Sequence, residues 1–139
     1  MNQDDRLAEA VAALNHGDLD GARKLAEEGA AVHATAPWQH LLGLVHCRRG
    51  DAAAGVPHLR AAVRLEPANL GLVVMLARAL IDSGRPQDVL AMAKPAGTSP
   101  AALALWHSRA EAAAAMGDAL AEVDAWTNIA SATQTDARA

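Results

Sequence analysis

Residues 36–69 read APWQHLLGLVHCRRGDAAAGVPHLRAAVRLEPAN, and this stretch decides the fold. It contains two helix-length runs, over 36–49 and 52–65, that meet at Gly50-Asp51. A glycine can take the left-handed conformation that ends one helix, and an aspartate beside it can cap the orphan N–H groups of the next. At the start, Thr35 places a capping hydroxyl two residues before Pro37, a first-turn position where the missing proline N–H costs nothing. Pro67 closes the unit.

The same junction recurs in both directions. Glycines stand at Gly17, Gly50, Gly84 and Gly117, spaced by 33, 34 and 33 residues. Three are followed by aspartate (Asp18, Asp51, Asp118), and Gly84 is followed by Arg85-Pro86. A fixed period of this size marks stacked repeats, here of two helices each. The spacing predicts helices over 3–16, 19–29, 36–49, 52–65, 69–83, 86–94, 100–116 and 119–132. Ser99-Pro100 marks the start of the seventh as Thr35 marks the third.

Composition agrees with an all-α fold. Of 139 residues, 36 are alanine, the best helix former, and the aromatics are limited to Trp38, Trp106 and Trp126. A chain of this length is expected to be one domain. The net charge is −4, and the basic residues form no stripe with interleaved aromatics, which argues against a nucleic-acid partner. The acidic start, Asp4-Asp5, is unlike a signal peptide, and no apolar run approaches the length of a membrane span. The single Cys47 allows no intrachain disulfide and fits a reducing, cytoplasmic setting.

Period and junctions together resemble the tetratricopeptide repeat (TPR), a 34-residue helix–turn–helix unit. With Ala36 as its first position, the 36–69 unit has Leu42 and Gly43 at the family's Leu-Gly pair, Ala62 at its small residue and Pro67 at its end. Ala10, Ala77 and Ala110 occupy the place of Gly43 in the other repeats, where a small side chain lets helices approach. The resemblance implies an α-solenoid, a right-handed superhelix, with repeats at about 3–35, 36–69, 70–102 and 103–136. It also implies that Trp106 and Trp126 are core residues, while Trp38 falls one place short of the family's aromatic and is expected to be partly exposed. Departures are Arg6 and Ala13 at apolar places, a helix cut short at Lys94-Pro95, Pro57 inside a helix with an expected local bend, and Gly71, expected to ease close packing.

TPR arrays use the inner face of their first helices as a ligand groove. Carried onto this chain, that face runs from Asp4, Leu7, Val11, Leu14 and Asn15 through His40, Leu44, Cys47 and Arg48. It continues with Val74, Arg78, Ile81 and Asp82, then Ala104, His107, Glu111, Ala114 and Ala115. The groove candidates are His40, Leu44, Arg48, Val74, Arg78, Asp82, His107 and Glu111, with Arg48 and Arg78 placed to engage a carboxylate or backbone carbonyls. The places that clamp a terminal carboxylate in chaperone-binding TPR domains hold Leu7, Val11, Gly71 and Met75 here, which argues against that ligand.

Nothing in the sequence points to catalysis. There is no phosphate-binding glycine loop, no Gly-x-Ser-x-Gly and no paired-carboxylate arrangement. The six histidines and Cys47 contain no i,i+4 pair of metal ligands, and His46 and Cys47, being adjacent, point to different sides of a helix. Cys47 reads as a half-buried structural thiol. No metal or cofactor is implied.

Counting on from Gly117, the fourth repeat ends at Asp136, and Ala137-Arg138-Ala139 would open a fifth. Val123, Trp126 and Ile129 lie at helical spacing on the last helix with nothing after them to cover it. That face suits a homodimer or a continuing array. The expected function is a non-catalytic protein–protein interaction scaffold that binds a peptide or protein, with no nucleic-acid or membrane partner. The alternative is the N-terminal TPR segment of a larger modifying enzyme, such as the sulfotransferases that similar bacterial arrays precede.

Overall fold

A computed structural model describes residues 2–138, with side chains over 2–134. The described residues form eight helices and no strand. These are α1 (Gln3–Asn15), α2 (Leu19–Val32), α3 (Ala36–Arg48), α4 (Ala52–Leu65), α5 (Leu70–Asp82), α6 (Pro86–Ala91), α7 (Pro100–Met116) and α8 (Ala119–Arg138). All eight start within one residue of the expected places, while α6 stops at Ala91 rather than at 94 and α2 continues to Val32 rather than ending at 29. The last runs on through Arg138 where a fifth repeat was expected to open, and Ala139 lies outside the described residues.

The four junction glycines behave alike. Gly17, Gly50, Gly84 and Gly117 have φ between 69° and 82°, the left-handed region that only glycine enters without strain. The residue after each donates its N–H five residues back, to the carbonyls of Ala13, His46, Leu80 and Ala113 at 2.8–3.0 Å. This pattern satisfies the orphan carbonyls of the closing helix. Asp18, Asp51 and Asp118 then accept from the N–H groups of Gly21, Ala54 and Ala121 at 3.0–3.1 Å, and Ser99 does so from Ala102 at 3.1 Å. Thr35 departs from expectation: it makes no side-chain cap, and its hydroxyl accepts instead from Gln3 Nε2 at 3.4 Å.

Backbone contacts divide the chain into two compact units, one up to Leu72 and one from Val73. In the first, α1, α2 and α3 share a core of Ala10, Leu14, Ala22, Ala26, Trp38, Leu41, Leu42 and Val45. Trp38 is fully buried rather than partly exposed. The reason is Gly29, over which the indole lies so closely that a Cβ there would come 2.3 Å from the ring. α3 and α4 meet at Gly43 and Gly55, where a Cβ would stand 2.6 Å from Leu59 Cγ and 2.9 Å from the Gly43 carbonyl oxygen respectively. The small residue at the TPR-like position is thus a contact requirement. Helix α4 runs unbroken past Pro57. Gly71 eases no close approach, since only Asn69 Oδ1, at 3.3 Å, would lie within 4 Å of its Cβ.

In the second unit α7 packs between α6 and α8, with Trp106, Ala110, Ala125 and Ile129 at the α7–α8 contact. Ile129 is therefore buried and not part of an exposed face with Val123 and Trp126. Residues three apart drift about 60° around a helix, so by Ile129 the side chain has turned onto α7. Trp126 is not a core residue either: it is 49 % exposed and meets His107 edge-on at 5.5 Å between centroids. Helix α6 has six residues. Its early end, Met92, and Val89 direct their carbonyls to the Nη1 of Arg109, at 3.1 and 3.3 Å.

Candidate functional site

The residues at one place in the four repeats are Val11, Leu44, Arg78 and Glu111. In the first unit this place is apolar, with Leu44 half-buried on α3. In the second it holds an ion pair. Arg78 on α5 donates from Nη1 and Nη2 to the two carboxylate oxygens of Glu111 on α7, both at 2.9 Å. One turn along α5, Asp82 accepts from Arg78 Nε at 3.2 Å and lies 3.1 Å from Nη2. A planar guanidinium with five donors in a fixed fork is the group that can serve two carboxylates at once.

The electrostatics follow from that geometry. The hydrogen bond from Arg78 holds the Glu111 carboxyl below its usual range, aided by the charge of Arg78 and opposed by desolvation. Reciprocally, Glu111 raises Arg78 above its already high value. All three side chains are about half exposed. The cluster carries one positive and two negative charges, and the Arg78 fork is turned onto its neighbours. The guanidinium expected to engage a ligand carboxylate is already engaged by these two side chains.

The remaining candidates lie apart from this cluster or are engaged otherwise. Val74 is half-buried one turn before Arg78 on α5. His107, on the turn of α7 before Glu111, is exposed and rests against the Trp126 ring. In the first unit, His40 is half-buried on α3, and burial lowers its pKa against a smaller opposing pull from Glu66. Arg48 is exposed at the end of α3. It lines an open depression of about 470 Å³ with Arg49, Asp18, Asp20 and the Gly17 turn.

Three features were not anticipated from the sequence. His46 on α3 and His58 on α4 stack with ring centroids 5.5 Å apart and planes 7° apart, and His58 Nδ1 lies 3.0 Å from Gln39 Oε1. Cys47 packs against Gly55, whose added Cβ would meet its Sγ at 2.9 Å. Arg109 is buried, with its guanidinium 5.8 Å from the Trp106 ring centre. The sequence signal for Arg109 is indirect: Lys94-Pro95 foretells a shortened helix, and the end of a short helix leaves carbonyls that need a donor. Among the described residues, no group of three or more His, Cys, Asp or Glu is gathered to hold a metal. No helix of the described chain is long and apolar enough to cross a membrane.

No family model and no curated protein matches this chain. Solved structures do. A kinesin light chain-like protein of Podosopora anserina with nearly identical TPR-like repeats matches at a TM-score of 0.77 and 21% identity, covering 99% of this chain and 77% of that one. A point variant of MamA matches at 0.74 and 18%, covering 95% and 78%. MamA of MSR-1 matches at 0.72 and 20%, covering 99% and 79%. Identities this low carry the fold alone, and the fold that they establish is that of an all-α array of tetratricopeptide-like repeats.

Proposed function

We propose that this chain is a non-catalytic interaction scaffold that takes a peptide segment of a partner protein on the exposed face of its first helices. The observation carrying this reading is the Arg78–Asp82–Glu111 cluster. It is an exposed polar constellation that ties α5 to α7, at the place where the TPR resemblance puts a groove, in a repeat fold that buries a core through small residues. With the Arg78 fork engaged, the fitting ligand groups are donors: backbone N–H groups and a lysine or arginine side chain, which the free lone pairs of Asp82 and Glu111 can accept. Cytoplasmic placement accords with the lone, half-buried Cys47.

The test is capture on an array of short peptides spanning acidic, neutral and basic sequences. The expected result is preference for basic peptides, lost in Glu111→Gln and Asp82→Asn with helix content unchanged. Binding indifferent to both substitutions overturns the assignment of this face. The exposed part of α8 supports a second association surface. No observation favours the modifying-enzyme alternative.

A further inference from the structure

The surface of α5 and α7 carries a single guanidinium. Arg78 and Arg109 are the arginines of these two helices, which hold no lysine. Arg109 is buried, with its Nη1 on the Val89 and Met92 carbonyls. The charge that this face offers a partner therefore depends on how Arg78 is occupied. Its two edges are used differently. The Nε edge turns along its own helix to Asp82, one turn on. The outer end reaches across to α7, where Nη1 and Nη2 hold the two oxygens of Glu111 in the parallel, two-bond geometry that suits any carboxylate on a guanidinium.

That occupancy does little for the fold. Both side chains are about half exposed, so solvent screens the pair. Helix α7 is already held to α8 by Trp106, Ala110, Ala125 and Ile129. The consequence falls on ligands. A partner carboxylate can take the outer end of Arg78 only by expelling Glu111, a group on the same molecule that competes at an effective concentration on the order of millimolar. Expulsion also leaves the Glu111 charge beside the incoming one, a like-charge pair. A cationic group meets no such competitor, because each carboxylate offers about four lone-pair sites and Arg78 uses only part of them.

We propose that Glu111 is a built-in competitor for the outer end of Arg78 and so the residue that sets the charge preference of this face: it turns acidic segments away, and without it the same fork receives them. This rests on the α5–α7 face being the peptide surface. The probes are two fluorescent peptides of equal length, one alternating glutamate with serine and one alternating lysine with serine, titrated by anisotropy at low salt. Glu111→Ala should bind the glutamate peptide about fivefold more tightly than the native chain does, the upper range for one exposed pair. The gain should vanish when Arg78→Met is added. Glu9→Gln on α1, which removes the same charge at a distant place in the sequence, should not produce it. All variants should keep native helix content by circular dichroism. Glutamate-peptide affinity unchanged by Glu111→Ala overturns the inference. So does a gain that survives Arg78→Met or is matched by Glu9→Gln, which marks an effect of net charge alone. The lysine peptide tests the basic-segment reading separately: a native chain that does not prefer it sinks that reading, whatever Glu111→Ala does to glutamate binding.

Discussion

Arg78 and Glu111, 33 residues apart and at the same place in successive repeats, are joined by two parallel hydrogen bonds of 2.9 Å. This is a repeat-to-repeat contact made by exposed side chains. Both groups are half exposed, so solvent and salt screen most of the attraction, and such pairs contribute about 0.2–1 kcal/mol. A double-mutant cycle on Arg78→Met and Glu111→Gln should show coupling in that range, shrinking as salt rises. Because Glu111 titrates below its ordinary value of 4.5, its contribution is complete above that pH. It is lost as pH falls through the depressed folded value. Urea melts at graded pH read this directly.

Close approach at glycine separates two substitutions that look alike on paper. At Gly43 an added methyl meets Leu59 Cγ at 2.6 Å, whereas at Gly29 it meets three atoms of the Trp38 ring at 2.3–2.5 Å. Leu59 has rotamers with which to yield, and the indole is rigid and fully buried. Overpacking costs about 1–3 kcal/mol, offset by up to about 1 kcal/mol of helix propensity gained over glycine. Gly29→Ala should therefore destabilise more than Gly43→Ala. Leu59→Val should relieve part of the Gly43→Ala cost, and equal costs measured by urea unfolding would contradict this packing.

The tryptophans show where sequence reading succeeds and where it stops. Helix ends were legible because the Gly-Asp junction is local chemistry: one residue ends a helix and its neighbour caps the next. The small-residue position was legible because it repeats. Side-chain burial of Trp38 and Trp126 was not, since it depends on how helices pack on one another: Gly29 on α2 makes room for one, and no helix of the described chain covers the other. The carboxylates at 82 and 111 were recognised as candidates, but their common hold on Arg78 was not readable from spacing alone. The stability consequence is opposite to the sequence expectation. Trp106→Ala should cost about 3–5 kcal/mol as a core truncation, and Trp126→Ala should cost markedly less in monomeric protein. Thermal melts of the two variants at low concentration decide it.

Arg109 serves the shortened α6 in place of the residues that would have continued that helix. Its Nη1 donates to the Val89 and Met92 carbonyls while its plane lies near Trp106. Arg109→Met keeps much of the volume and removes the donors, leaving carbonyls with desolvation unanswered, at about 1–3 kcal/mol. Arg109→Lys should recover only part, because an ammonium offers neither the planar fork nor the stacking surface. Hydrogen exchange should accelerate over residues 86–99 in Arg109→Met and little elsewhere, and uniform acceleration would argue against a local role.

Acidification should loosen the first unit before it reaches the carboxylates. The His58 pKa is lowered by desolvation first and by neighbouring His46 second, against a partial offset from Glu27, and His40 is lowered by desolvation against Glu66. For a histidine held neutral in the fold, the unfolded chain binds the proton more readily, so unfolding takes up protons and stability rises with pH. The contribution is nil above the ordinary value of 6.5 and turns unfavourable as pH falls from there toward the depressed folded values. Melting temperature should thus be level above about pH 7.5 and decline below 6.5, well before Glu111 begins to protonate. His46, its ring stacked 5.5 Å from His58, contributes to holding the His58 pKa down, since a charge there would repel a charge on His58. His58→Gln removes one partner of the stack and should flatten the decline, and His40→Gln should do so to a lesser extent. A melting curve whose pH dependence is untouched by both substitutions would assign the acid sensitivity to the carboxylates instead.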